Sequence, residues 1–191
     1  LVACGYSLIF SILRIVNFAH GSVYAFGAMI TLAFIELNIN PWISVLIAMI
    51  LTGILCALLD KFGVEPLRKK NSPPIATLIT TIGVQYVIQN ALILFMGSER
   101  EPFPTFYDLG FSIQIGSFEI TSTKIVLLVI SGGLMLLMSL LINKTHIGLA
   151  IRAVQQNNKA ARLMGINVNR IVVGVFFLAG VTAAIAGALV G

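Results

Sequence analysis

Apolar runs of near-membrane-spanning length recur along the whole chain, broken only by short polar segments. A spanning helix needs about 20 mostly apolar residues. Residues 1–13 read as a truncated span, and 21–37 follow after the polar break 14–20. Residues 42–59 start after Asn40-Pro41, with Trp42 at a membrane interface. Residues 75–96 start after Pro73-Pro74, which suits a helix start. Spans over 124–142 and 171–191 complete the series. Only 10% of the 191 residues are charged and 58% are apolar, whereas soluble domains carry about 25% charged residues. A soluble fold of this size has too little interior to hide that surface, so the solvent is lipid. The expected fold is an all-α, polytopic integral membrane bundle with about six spans, forming one transmembrane domain over 1–191. The chain has no initiator Met and starts and stops inside apolar segments, which reads as a fragment of a longer protein.

The net charge of +5 would suit nucleic acid, but the charges sit in the breaks between spans, as membrane topology requires. Loop 60–74 carries Lys61, Arg68, Lys69 and Lys70. Loop 143–170 carries Lys144, Arg152, Lys159, Arg162 and Arg170 and no acid. Loop 97–123 carries Arg100 against Glu99, Glu101, Asp108 and Glu119. Basic loops stay in the cytoplasm, so 60–74 and 143–170 are expected inside and 97–123 outside. Arg14 then lies inside if 1–13 and 21–37 each cross; the alternative is a broken helix with 14–20 at membrane depth, buried in protein or lining a cavity. Within the outer loop, 111–120 alternates apolar and polar residues around Gly116-Ser117, which reads as a short β-hairpin.

The segment 145–169 is a long polar insert between two apolar spans. Ile147, Ala150, Ile151, Val154, Ala161 and Met164 fall near one face at helical spacing. Thr145 suits an N-cap, Gly165 the left-handed residue that ends a helix, and Asn167 or Asn169 the cap of the next span. The expectation is one or two amphipathic helices at the cytoplasmic mouth. Such a helix serves either a docking partner or the anionic lipid surface, and the pattern alone leaves both open.

The spacing Gly148…Arg152-Ala153…Asn157…Ala160-Ala161…Gly165-Ile166 resembles the coupling loop of the permease subunits of ABC importers. The blocks at 14–28 (RIVNFAHGSVYAFGA) and 65–84 (EPLRKKNSPPIATLITTIGV) resemble the branched-chain amino acid permeases of the LivH/LivM type. This resemblance runs along essentially the whole chain. It implies a non-catalytic permease in a prokaryotic plasma (inner) membrane, with 143–170 as the cytoplasmic coupling loop and further spans after Gly191. It also implies cytoplasmic ATP-binding subunits docked on that loop, a second permease subunit, identical or different, and an extracytoplasmic substrate-binding protein. Gly148, Arg152, Ala153, Asn157, Ala161 and Gly165 would then serve coupling to ATP use. Consistent with this, the chain has no phosphate-binding Gly-x-x-x-x-Gly-Lys-Ser/Thr loop of its own. No metal, cofactor or nucleic acid is expected: Cys4 and Cys56 lie in apolar segments and suggest no disulfide framework.

Polar residues inside spans are costly and tend to face a bundle interior or a cavity. Asn17 and His20, close to Arg14, mark a break near a translocation path or a tight turn between helices; Tyr24 lies one turn on. Gln85 and Gln89 share a helix face while Asn90 is offset, and they suit either a path that must release its cargo or interhelical hydrogen bonds. Ala183, Gly187 and Gly191 recur every four residues, a pattern for close helix contact, and Gly132-Gly133 puts a weak point in span 124–142. Glu36, Asp60, Glu65 and the outer-loop acids all read as loop or span-end residues, which disfavours a channel or secondary transporter coupled to ions. The resemblance points to leucine, isoleucine and valine as cargo, with urea or short amides as alternatives in the same importer class.

Overall fold

The structure, a computed structural model, describes residues 1–70, 72–97, 112–115 and 118–190. Helices α1 (Val2–Leu13), α2 (His20–Glu36) and α3 (Pro41–Leu59) come first, and α3 continues through a π-helical turn (Asp60–Val64) into α4 (Glu65–Lys69). Helix α5 (Pro74–Met96) and strands β1 (Ser112–Ile115) and β2 (Phe118–Thr121) follow. The remainder is α6 (Ser122–Lys144), α7 (His146–Gln156), α8 (Asn158–Leu163) and α9 (Val168–Val190). The helix starts obey local chemistry. Pro41 sits at the first turn of α3, and the Asn40 side chain accepts from the Trp42 N–H at 3.0 Å. Pro74 likewise opens α5.

Four helices are long and apolar enough to cross a membrane: Pro41–Lys69, Pro74–Met96, Ser122–Lys144 and Val168–Val190. The other two expected spans are shorter. Helix α2 has 17 residues, about 26 Å at 1.5 Å per residue, and α1 has 12. The expected loop 60–74 is a correction: the chain stays helical through Lys69. The expected hairpin is present, with Ile113 opposite Ile120 and Gln114 opposite Glu119; its turn, Gly116-Ser117, lies outside the described residues. Helix α6 runs unbroken through Gly132-Gly133, so the expected weak point interrupts nothing.

Helix α9 is the axis of the bundle. It buries residues from Val168 to Leu189, whereas α6 buries only Ser122 and Met138 among its described residues. Small residues let it approach α2 and α3 closely. A Cβ on Gly27 of α2 would stand 2.6 Å from the Ala184 Cα, and one on Gly187 2.7 Å from the Tyr24 carbonyl. One on Gly180 would stand 2.6 Å from the Thr52 carbonyl of α3. Ala183 is fully buried, in line with the expected small-residue face; Gly191 lies outside the described residues.

These contacts fix the directions. Helix α3 runs antiparallel to α9: Gly53 packs on Phe177, and further down Arg68 reaches Asn169 at 3.4 Å. Helix α1 descends as well, since Gly5 faces Thr182 while Ser11 accepts from Gln155 of α7 at 2.7 Å. Arg14, Lys61, Arg68 to Lys70 and the 144–170 basic residues thus gather at one end, the end that the charge rule assigns to the cytoplasm. Replacing Gly180 by Val forces backbone apart and is expected to cost about 1–3 kcal/mol. Gly174→Ala, with open space around it, is expected to be neutral or stabilising. Thermal unfolding of the purified protein in detergent reads the difference; equal midpoints would remove α9 from the centre of the packing.

Candidate functional site

At the basic end, segment 145–166 folds into a compact module whose internal bonds come largely from the residues the sequence singled out. Helix α6 ends with carbonyls that have no helical partner. Thr145 donates its hydroxyl to Leu141, and Arg152 donates Nη1 to the Ile142 carbonyl at 2.6 Å and to Asn143 Oδ1 at 3.3 Å. Thr145 Oγ1 also caps α7 by accepting from the Gly148 N–H at 3.1 Å. Gly148 is required where it stands: a Cβ there would run into the Ile142 and Leu141 carbonyls. Asn157 ends α7 and caps α8, its Oδ1 accepting from Lys159 and Ala160 N–H at 3.0 and 3.1 Å. Gly165 adopts φ 82°. Its N–H bonds Arg162 and the Ile166 N–H bonds Ala161, the paired bonds of a Schellman end. Asn167 then caps α9 through the Arg170 N–H at 3.2 Å.

The two faces of the module differ from expectation in part. Ile151, Val154 and Ala161 are buried against the bundle, and Ala153 is half-buried. Ile147 and Met164, expected on that face, point outward, Met164 at 83% exposure. Leu149 and Leu163 are exposed too, Leu163 at 89%. Between α7 and α8 lies an open, mostly apolar groove of about 450 Å³, lined by Leu149, Ala153, Asn157, Ala161 and Met164 among others. The outward Leu149 and Leu163 were legible only as apolar residues off the core-facing stripe of an amphipathic helix.

The residues expected on a path do not converge. His20 is 2% exposed, its Nε2 3.3 Å from the Val2 carbonyl and its Nδ1 without a partner. Asn17 is buried and accepts from the Ala19 N–H at 3.1 Å. The chain thus turns at Arg14, in the left-handed conformation (φ 53°), and re-enters the bundle before α2 starts. Tyr24, one turn after His20 on α2, lines a pocket with Val2, Ala186 and Leu189. Gln85 and Gln89 do meet α2: with Gly21, Ser22 and Ala25 they line a groove of about 250 Å³, and Ser22 donates to the Gln85 carbonyl at 3.3 Å. Asn90 is turned away and donates to its own helix at Tyr86.

Sequence reading missed one buried charge. Asp60, expected at a span end, is fully buried in the π-helical turn and pairs with Arg68 Nη1 at 3.1 Å. Arg68 Nη2 donates to Asn169 Oδ1, so the pair ties α4 to the first turn of α9. An acid closing an apolar run eight residues before an arginine was the available signal. Among the described residues, no group of three or more His, Cys, Asp or Glu is placed to hold a metal.

The family model described as "Branched-chain amino acid transport system / permease component" matches residues 1–191. The high-affinity branched-chain amino acid transport system permease protein LivH of Escherichia coli K12 is 29% identical over 204 residues, covering 100% of this chain and 65% of its own. The corresponding BraD of Pseudomonas aeruginosa is 30% identical, covering 100% of this chain and 66% of its own. The fructose import permease protein FruF of Bifidobacterium longum is 30% identical, covering 98% of this chain and 50% of its own. This chain therefore spans about 65% of the length of the LivH relatives it matches. No solved structure matches it.

Removing the cation from a buried pair costs about 3–5 kcal/mol, because the remaining charge is left uncompensated. Arg68→Ala is accordingly expected to lower the unfolding midpoint sharply, and Asp60→Leu combined with Arg68→Met to recover most of it. Equal stability of the single and double variants would show that Asp60 is not buried as a charge.

Proposed function

The chain belongs to the family of permease components of branched-chain amino acid transport systems, and from that premise we propose that it is the pore-forming permease part of an ABC importer. Two such permeases, identical or different, form the pore in a prokaryotic inner membrane. An extracytoplasmic binding protein delivers leucine, isoleucine or valine, and separate cytoplasmic subunits bind and hydrolyse ATP. The exposed apolar faces of α5 and α6 are suited to contact with further protein as well as lipid.

The observation that carries this reading is the module at 145–166. Gly148, Arg152, Asn157 and Gly165 spend their geometry and hydrogen bonds on holding α7 and α8 rigid against α6 and α9. Ala153 and Ala161 keep the groove between the two helices open. What is left outward is Leu149, Leu163 and Met164, apolar side chains at a cytoplasmic surface, where burial against an ATP-binding subunit would remove them from water. A helix serving only as a lipid anchor would need no such groove. ATP binding would press on α8, and the stiff Gly165–Asn167 corner would carry the displacement into α9. Gln85 and Gln89, facing Gly21 and Ser22, offer neutral hydrogen-bonding groups along a path that must release its cargo.

A second cargo is favoured by one observation: the similarity to a permease named for fructose. Uptake of labelled leucine, urea and fructose into cells with and without the full-length gene separates the cargoes. Gain of leucine uptake alone is the expected result; gain of another cargo alone keeps the importer and changes its substrate. In the same assay, Leu163→Asp with Met164→Asp is expected to cut uptake at least about tenfold (about 1.4 kcal/mol) while membrane insertion stays normal. Uptake at the parental rate would rule out docking through this apolar surface.

A further inference from the structure

A second pocket, of about 280 Å³, opens at the basic end where α1, the π-helical turn, α4, α5 and the start of α8 meet. Its polar lining is Arg68, Ser72, Thr77 and Asn158. The rest is aliphatic, from Ile12, Leu13, Ile15 and Val64, and among the described residues no acid lines it. The polar lining has donors to spare. Arg68 has five N–H groups, of which the bonds to Asp60 and Asn169 engage two. Thr77 is 5% exposed, yet its hydroxyl has no partner among the described residues. The neighbouring Thr80 and Thr81 each donate to a carbonyl of their own helix, at Ala76 and Leu78. An unbonded hydroxyl that shares a pocket with a guanidinium and aliphatic side chains is half of a hydrogen-bonding site.

Donors without an acid among them select an anion. Asp60 already neutralises most of the Arg68 charge, which suits a single carboxylate better than a doubly charged phosphate. Four aliphatic side chains in the same lining select a branched alkyl group. The volume lies just under the usual lower bound of about 300 Å³ for small-molecule sites, which admits a molecule of amino-acid size. We propose that this pocket binds a small branched aliphatic carboxylate from the cytoplasmic side, the side on which the imported amino acid is released. The identification of that ligand as released cargo rests on the importer reading; the carboxylate chemistry rests on the pocket alone. The pocket supplies no acidic partner for an ammonium group, so that group stays at the open mouth and the matching 2-oxo acid binds as well.

The test uses the full-length permease with its ATP-binding subunits in nanodiscs, without the binding protein. Ile15→Cys is introduced into a Cys4→Ser background, and its rate of modification by a thiol reagent is measured. Leucine and 4-methyl-2-oxopentanoate are expected to slow modification, and isoamylamine, which lacks the carboxylate, is not. Thr77→Val, close to isosteric, is expected to raise the half-protecting concentration about tenfold, the worth of one buried hydrogen bond. Ser72→Ala provides a second donor deletion, and Ser131→Ala on α6 is expected to change nothing. Absence of protection, equal protection by the amine, or indifference to both donor deletions would overturn the site. Protection by the carboxylates in a protein that carries a different cargo would leave the site standing and sink the cargo assignment instead.

Discussion

In lipid no hydrophobic force drives helices together, so their association depends on how closely two backbones can approach. Here that approach is made by α9. Gly180 meets the α3 backbone, and Ala184 and Gly187 meet α2 on both sides of Gly27. Once these contacts are set, α2 and α3 are fixed on one side, α1 follows through Gly5 and Thr182, and the basic ends of the helices fall together. Helices α5 and α6 stay outside this inner group and turn long apolar faces outward.

The basic end is organised by a different economy. Helix ends leave carbonyls and N–H groups that must find partners, and the module at 145–166 is built almost entirely from such completions. Arg152 and Thr145 close the end of α6, Asn157 joins α7 to α8, and Gly165 with Asn167 joins α8 to α9. From Asn169 the chain of bonds continues through Arg68 to Asp60. The outward groove and the central helix α9 are therefore parts of one stiff linkage, with no flexible segment between them to absorb a push. That property is what a permease moved by separate ATP-binding subunits requires.

Much of this was legible in the residues. Lipid as solvent, the separation of the basic segments from 112–121, the proline helix starts, the left-handed Gly165 and the hairpin all follow from local chemistry. The misses share a cause. Asp60 looked like a loop residue because an acid normally ends an apolar run, and only the tertiary partner Arg68, held by a π-helical turn, makes its burial tolerable. Met164 fell on the apolar face by spacing, but the break at Asn157 turns α8 relative to α7 and re-aims that face, while Ile147 is exposed in the first turn of α7 itself. Asn17 bonds the backbone of the re-entrant 14–19 segment, whereas His20 and Tyr24 sit one turn apart on α2, both beside Val2 of α1. Side-chain spacing predicts a shared face only while the helix that carries it continues.

The most direct measurement is a disulfide crosslinking scan between the module and the co-expressed ATP-binding subunits in native membranes. Leu149→Cys, Leu163→Cys and Met164→Cys, paired with cysteines on the ATP-binding subunit, are expected to crosslink with efficiency that changes on ATP binding. Ser131→Cys, in the middle of α6 and outside the module, is not. Crosslinking absent from all three exposed positions of the module, or no stronger there than at Ser131, would contradict the assignment of this surface as the point where ATP use meets the membrane bundle.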